Sequence, residues 1–281
     1  MRAIGEQSTG MAFDAAGRLY IAGISSVLVY ANGGKKLVET ISKKLHSPQL
    51  VAFDADGNLY VADKNGVAIF LGGKERRIKR IRVKFVQAIA LDPQNNLYVA
   101  SNEHPISVYA EGSTTPFRTI SQGVDSPVAL TFDSAGNLYV ANVFTTGTCG
   151  KSSNGGSVSV YAPNGSTPIQ TITPADGICN PIAFAFDSGG NLYVANYMAG
   201  TYAGSVTVYS PGSLNLLRTI TDGVGNPRSL ALDSAGKLYV GNMSINQYTG
   251  DVTVYAANST NLIQTMSYSS RAYPIDLVVG K

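Results

Sequence analysis

Pro127-Val128-Ala129-Leu130-Thr131-Phe132-Asp133-Ser134-Ala135-Gly136-Asn137-Leu138-Tyr139-Val140-Ala141-Asn142 sets two short apolar runs on either side of a small polar segment. The first run, residues 128–132, has the length of a buried strand. Asp133-Ser134-Ala135-Gly136-Asn137 carries turn chemistry: glycine reaches positive φ without steric cost, and an aspartate side chain bonds the backbone of its own turn. Residues 138–141 then return. The stretch reads as an antiparallel hairpin, and the fold depends on how often it recurs.

It occurs six times. Phe53-Asp54-Ala55-Asp56-Gly57-Asn58-Leu59-Tyr60-Val61-Ala62-Asp63 is a near copy, and looser copies start at Phe13, Leu91, Phe186 and Leu232. The turn aspartates Asp14, Asp54, Asp92, Asp133, Asp187 and Asp233 are spaced by 40, 38, 41, 54 and 46 residues. After the hairpin, Ser157-Val158-Ser159-Val160-Tyr161 alternates with period two, as a half-buried strand does. Ile169-Gln170-Thr171-Ile172 supplies a fourth strand, matched by Arg118-Thr119-Ile120 and Arg218-Thr219-Ile220. No helical periodicity lies between the strands, which excludes βαβ architecture. Six units of four antiparallel strands predict an all-β chain, a six-bladed β-propeller, with a solenoid of four-stranded units as the second choice. With strands a to d in each unit, the blades cover about 10–47, 48–86, 87–126, 127–180, 181–226 and 227–272 of a single domain, 1–281. Pro274-Ile275-Asp276-Leu277-Val278-Val279 aligns with residues 227–232 as a seventh copy of strand a, so residues 273–281 are expected to close the ring or to form a surplus strand.

Composition agrees with many short strands joined by tight turns. The chain has 30 Gly, 12 Pro and 16 Tyr, and hydrophobic residues outnumber charged ones, 44% against 14%. A net charge of +3 is too small to argue for nucleic acid. No run of 18 apolar residues occurs, so no membrane-spanning helix is expected. The opening Met1-Arg2-Ala3-Ile4-Gly5-Glu6 lacks the apolar stretch of a signal peptide, and export, if it occurs, requires a leader outside this sequence.

The pattern Pro127-x-x-Leu130-x-Phe132-Asp133-x-x-Gly136-Asn137-Leu138-Tyr139-Val140-Ala141-Asn142 resembles the NHL-type repeat across essentially the whole chain. It departs from that repeat in lacking the Asn-His-Arg-Ile stretch; the third strand reads Val-x-Val-Tyr instead. Similar six-bladed relatives include gluconolactonase-like lactonases, strictosidine-synthase-like enzymes and extracellular sensor domains of some bacterial kinases, with the seven-bladed streptogramin lyases as cousins. These relatives share a fold and little chemistry. The resemblance to gluconolactonase-like enzymes implies a divalent cation (calcium, magnesium or zinc) held by Asn and Asp at strand-b ends. Asp63, Asn142 and Asn196 occupy such positions, with Asn242 equivalent to them and Ser101 and Gly23 in the remaining two places. A Glu to complete that set is not evident. The competing reading is that Asn ends strands well, because it bonds its own backbone and tolerates the left-handed region.

In a propeller the b–c and d–a loops emerge together on one face. Length variation concentrates in the b–c loops: Lys64-Asn65-Gly66 suffices in blade two, whereas blade four uses residues 143–156, blade five inserts 197–204 and blade six inserts 243–250. Binding residues favour loops on a rigid scaffold, so this face of blades four to six is the expected site. Cys149 in the blade-four b–c loop and Cys179 in the following d–a loop fall at one blade boundary. A disulfide between them suits an exported protein and would contribute roughly 3–4 kcal/mol by closing about thirty residues. The turn aspartates are read as turn residues rather than calcium ligands, because no bidentate Glu follows at the spacing a calcium loop requires.

Other chemical signals are thin. His46 and His104 belong to no local motif, and no HExxH, GxSxG, P-loop or CxxC pattern occurs. Residues 74–84 carry seven cations, and 12 of the 21 Lys and Arg fall between 35 and 84. Cations on an outer strand block edge-to-edge aggregation, and an anionic partner is the rival reading; nucleic acid is not favoured, because no aromatics interleave for stacking. The sequence therefore favours an extracytoplasmic, non-catalytic module that binds a protein, saccharide or small molecule. A metal-dependent lactonase, hydrolase or lyase at the channel mouth is the alternative.

Overall fold

The computed structural model describes residues 10–31, 36–70, 72, 77–102, 105–143, 155–197, 203–243 and 250–268. It is a six-bladed β-propeller: 24 strands form six antiparallel sheets of four, each sheet following chain order. Blade one holds β1 (Gly10–Phe13), β2 (Leu19–Ala22), β3 (Val27–Ala31) and β4 (Lys36–Ile41). Blade two holds β5 (Leu50–Phe53), β6 (Leu59–Asp63), β7 (Gly66–Phe70) and β8 (Arg77–Ile81). Blade three holds β9 (Val86–Leu91), β10 (Leu97–Ser101), β11 (Ile106–Tyr109) and β12 (Arg118–Ile120). Blade four holds β13 (Pro127–Phe132), β14 (Leu138–Asn142), β15 (Ser157–Tyr161) and β16 (Pro168–Ile172). Blade five holds β17 (Pro181–Phe186), β18 (Leu192–Tyr197), β19 (Gly204–Tyr209) and β20 (Leu216–Ile220). Blade six holds β21 (Pro227–Leu232), β22 (Leu238–Met243), β23 (Gly250–Tyr255) and β24 (Leu262–Tyr268). The six blades are complete from their own strands; the segment 273–281 lies outside the described residues.

The chain divides into two compact units, Glu6–Val124 with blades one to three and Asp125–Val279 with blades four to six. Within the first, first strands meet, β1 against β5 and β5 against β9; within the second, β13 meets β17 and β17 meets β21. Second strands are buried along their length, as in Leu59-Tyr60-Val61-Ala62-Asp63 and Leu138-Tyr139-Val140-Ala141-Asn142. The cause is that neighbouring blades cover both faces, which rewards a continuous apolar run over an alternating one. Tyr20, Val27, Val29 and Ile41 of blade one pack with Leu59, Val61 and Phe70 of blade two. Tyr193, Val206 and Ile220 of blade five pack with Leu230, Val240 and Tyr255 of blade six. Burying each such aliphatic side chain contributes about 1.5–3 kcal/mol. The fourth strands alternate instead: Ile169 and Thr171 of β16 are outward while Ile172 is buried.

The repeated aspartate closes each hairpin. Asp133 Oδ1 accepts the amides of Ala135 (2.9 Å) and Asn137 (2.8 Å), and Oδ2 accepts Asn137 Nδ2 (2.8 Å) and the Tyr139 hydroxyl (3.3 Å). Gly136 sits at φ 81°, the conformation its position in the motif requires. Asp54, Asp92 and Asp187 repeat the arrangement with Asn58, Asn96 and Asn191. In blade one Arg18 Nε replaces the amide and donates to Asp14 at 2.6 Å. These aspartates are turn residues. No helix among the described residues is long and apolar enough to cross a membrane.

Candidate functional site

The strand-b ends resolve into a repeated latch. Asn142 Oδ1 accepts the backbone amide of Asp125 (2.9 Å), Asn196 Oδ1 that of Cys179 (3.0 Å), Asn242 Oδ1 that of Gly225 (3.2 Å), and Asp63 Oδ2 that of His46 (3.1 Å). Each pair is separated by 17 residues. The side chain at the root of the b–c loop therefore pins the d–a loop that leads into its own blade. A backbone bond doubles the latch in the second unit, where Val143, Tyr197 and Met243 donate to the carbonyls of Ser126, Asn180 and Asn226. Those three acceptors sit at φ 49°, 44° and 50°, each directly before the proline that opens strand a. Left-handed backbone of this kind is tolerated by Asn and costs other residues strain.

The remaining valences of the amides are spent inside the blade. Asn142 Nδ2 donates to Ser157 and Ser159, both at 3.2 Å. Asn196 Nδ2 donates to Thr207 (2.9 Å), to the Val194 carbonyl (3.2 Å) and to Ser205 (3.4 Å). Asn242 Nδ2 donates to Asp251 (2.8 Å), Thr253 (3.1 Å) and the Gly223 carbonyl (3.1 Å). Blade two lacks those hydroxyls, since Gly66 pairs with Asp63 and Ala68 with Val61. There the strand end is a carboxylate, held by Arg80 of β8 through its two terminal guanidinium nitrogens at 2.5 and 2.8 Å. Arg80 also donates to the Lys44 carbonyl, and Lys79 donates to the Gly112 carbonyl. Two cations of the basic segment 74–84 thus have structural partners; residues 74–76 and the side chains of Arg77 and Ile78 lie outside the described residues.

The four predicted site residues are all buried at equivalent strand ends, and each is bonded within its own blade and adjoining loop. Asp63 belongs to the first compact unit and Asn142, Asn196 and Asn242 to the second. Ser101 of blade three is buried, and its Oγ has no hydrogen-bond partner among the described residues. No group of three or more His, Cys, Asp or Glu that could hold a metal occurs among the described residues. His46 is exposed, and His104, Cys149 and the long loop segments 144–154, 198–202 and 244–249 lie outside the described residues. Cys179 is 7% exposed at the loop that Asn196 pins. Sequence reasoning missed Arg80 as the partner of Asp63, because it stood inside a run of cations. Asp63 opposite a strand with no hydroxyls is the signal that could have found it.

No family model matches the chain, and no curated protein matches it. Solved structures do. Hydrazine synthase of Kuenenia stuttgartiensis aligns with a TM-score of 0.72 at 16% identity over 90% of this chain and 78% of that one. The extracellular domain of a hybrid two component system from B. thetaiotaomicron aligns with a TM-score of 0.68 at 14% identity over 95% of this chain. Only 35% of that second chain is covered. At such identities the likeness establishes the propeller fold alone.

Proposed function

We propose that the protein is a non-catalytic, extracytoplasmic binding module whose ligand, a protein, saccharide or small molecule, docks on the b–c and d–a loops of blades four to six. The observation that carries this reading is the 17-residue latch. It spends the polar groups of the strand ends on bracing loop roots, so that the loops above them vary in length on fixed supports. The same commitment of the side-chain oxygens counts against the metal-dependent hydrolase or lyase, which needs those oxygens free. The repeat motif supports an NHL-type lineage, with the missing Asn-His-Arg-Ile stretch as its departure. Export is supported by the proximity in sequence of Cys149 and Cys179 to one blade boundary and by the absence of a free cysteine among the described residues. Thiol labelling of the denatured, unreduced protein tests the bridge: two reactive thiols per chain refute it.

The decisive experiment replaces residues 143–156 by the Lys-Asn-Gly link of blade two and screens both proteins on a saccharide array and against a small-molecule panel. The reading expects binding by the parent protein that the shortened variant loses while its melting temperature holds. Binding unaffected by the replacement moves the site off this face.

A further inference from the structure

The loops at the strand-b ends of the first compact unit carry cations without counter-charges. Lys43 and Lys44 stand between β4 and β5, Lys64 between β6 and β7, and Arg82 and Lys84 between β8 and β9. All five are exposed, and none forms an ion pair among the described residues. Backbone contacts gather these loops. The Lys64 amide donates to the His46 carbonyl at 2.9 Å, and Arg80 donates to the Lys44 carbonyl at 2.8 Å. Gly66 packs so closely that an added Cβ would lie 3.2 Å from Arg82 Cα. Among the described residues of these loops and their strand ends the one acid is Asp63, and Arg80 already engages both its oxygens.

Two large apolar side chains stand out among the cations. Phe85 ends the loop after Arg82 and Lys84 at φ 54°, and it is 58% exposed. The equivalent residue before strand a is Ser47, Ser126, Asn180 or Asn226 in blades two, four, five and six, at φ 51°, 49°, 44° and 50°. Small polar residues tolerate such left-handed backbone, whereas a large ring there is strained and gains little from burial. The fold therefore does not ask for phenylalanine at this position. Ile24, between β2 and β3, is 64% exposed, and the pairing of Val27 with Ile41 puts its loop at the same strand ends as residues 42–44. Of the large hydrophobics exposed among the described residues, only these two lie in such loops; the others lie on or beside fourth strands.

We propose that these loops rest on an anionic lipid bilayer, with the five cations over the headgroups and Phe85 and Ile24 at the boundary with the acyl chains. Each cation brought to such a surface strengthens binding roughly fivefold, and apolar side chains withdrawn from water add to it. A nucleic acid would engage the cations but leave the isoleucine without a stacking role. The assignment concerns the first compact unit and goes beyond the binding reading, which concerns the loops of blades four to six.

The test floats the protein with vesicles of phosphatidylcholine alone or mixed in equal parts with phosphatidylglycerol. The protein binds the mixed vesicles and not the neutral ones, and binding falls as salt screens the charges. The triple variant Lys43→Gln, Lys44→Gln, Lys64→Gln binds about a hundredfold more weakly while its melting temperature holds. Phe85→Asn, chosen because Asn takes this backbone in blades five and six, also binds more weakly and melts no lower than the parent. Because the chain has no tryptophan, Phe85→Trp is a unique reporter whose emission moves to shorter wavelength with the mixed vesicles alone. No flotation with mixed vesicles, equal flotation with neutral ones, or unshifted emission from Phe85→Trp overturns the assignment. None of these variants touches residues 143–156, so this assignment and the binding reading fail separately.

Discussion

Asn142 and Asp63 solve one problem with two chemistries. An amide is self-sufficient where strand c offers hydroxyls to receive its Nδ2, as Ser157 and Ser159 do. Where strand c offers Gly66 and Ala68, an amide would bury an unmet donor, and a carboxylate with an arginine takes its place. The two latches should therefore fail differently. Asn142→Ala or Asn196→Ala should cost about 1–3 kcal/mol by stranding a loop amide, equally in calcium and in EDTA, as urea unfolding would measure. A loss of stability seen only with a cation present would revive the metal site. Arg80→Met should cost more, about 3–5 kcal/mol, because it strands a buried charge. The triple change Asp63→Asn, Ala68→Ser, Arg80→Met rebuilds the blade-four chemistry and should recover most of that loss; no recovery would refute the equivalence of the latches.

The hairpins were legible because their causes are local. An aspartate that bonds residues two and four places on, followed by glycine at positive φ, leaves its whole signature within a short stretch. The strand-end residues were legible as positions and not as roles. Their partners lie 17 residues back and across strand c, and only the register of the sheet brings them together. A second non-local device joins successive blades. At Gly204, the first residue of β19, an added Cβ would lie 2.2 Å from Pro227 Cδ and 2.9 Å from the Asn196 carbonyl oxygen. Gly156 meets Pro181 in the same way, at 2.7 Å. No positive φ is involved at Gly204, so the constraint is purely steric. Gly204→Ala should destabilise by about 1–3 kcal/mol through overpacking, with the β21–β22 amides losing hydrogen-exchange protection first. Uniform loss of protection would place the strain elsewhere.

Across the whole molecule, tyrosine supplies the largest fully buried side chains; the chain has 16 tyrosines and no tryptophan. Tyr161 and Tyr209 are pushed up to about 12 from the ordinary 10, chiefly by burial, and Tyr60 and Tyr139 are raised further by burial and by the turn aspartates their hydroxyls meet. A raised phenol pKa means that above pH 10 the unfolded chain releases protons which the native chain keeps. The tyrosines' contribution to stability should thus be level below about pH 10 and be lost as the pH climbs through about 12. Tyrosinate absorbance near 295 nm should rise together with loss of circular dichroism; a rise well before unfolding would show that the phenols are exposed. The latch has one more consequence. Because Asn142 and Val143 at the first root of the blade-four loop are bonded to Asp125 and Ser126, and Gly155 at its second root accepts from the Asn180 amide, a single cut by a protease between residues 144 and 154 severs the chain without releasing either end. The nicked protein should elute as one species from a sizing column and separate into two fragments only once it is denatured, so the peptide bond there is dispensable once folding is complete.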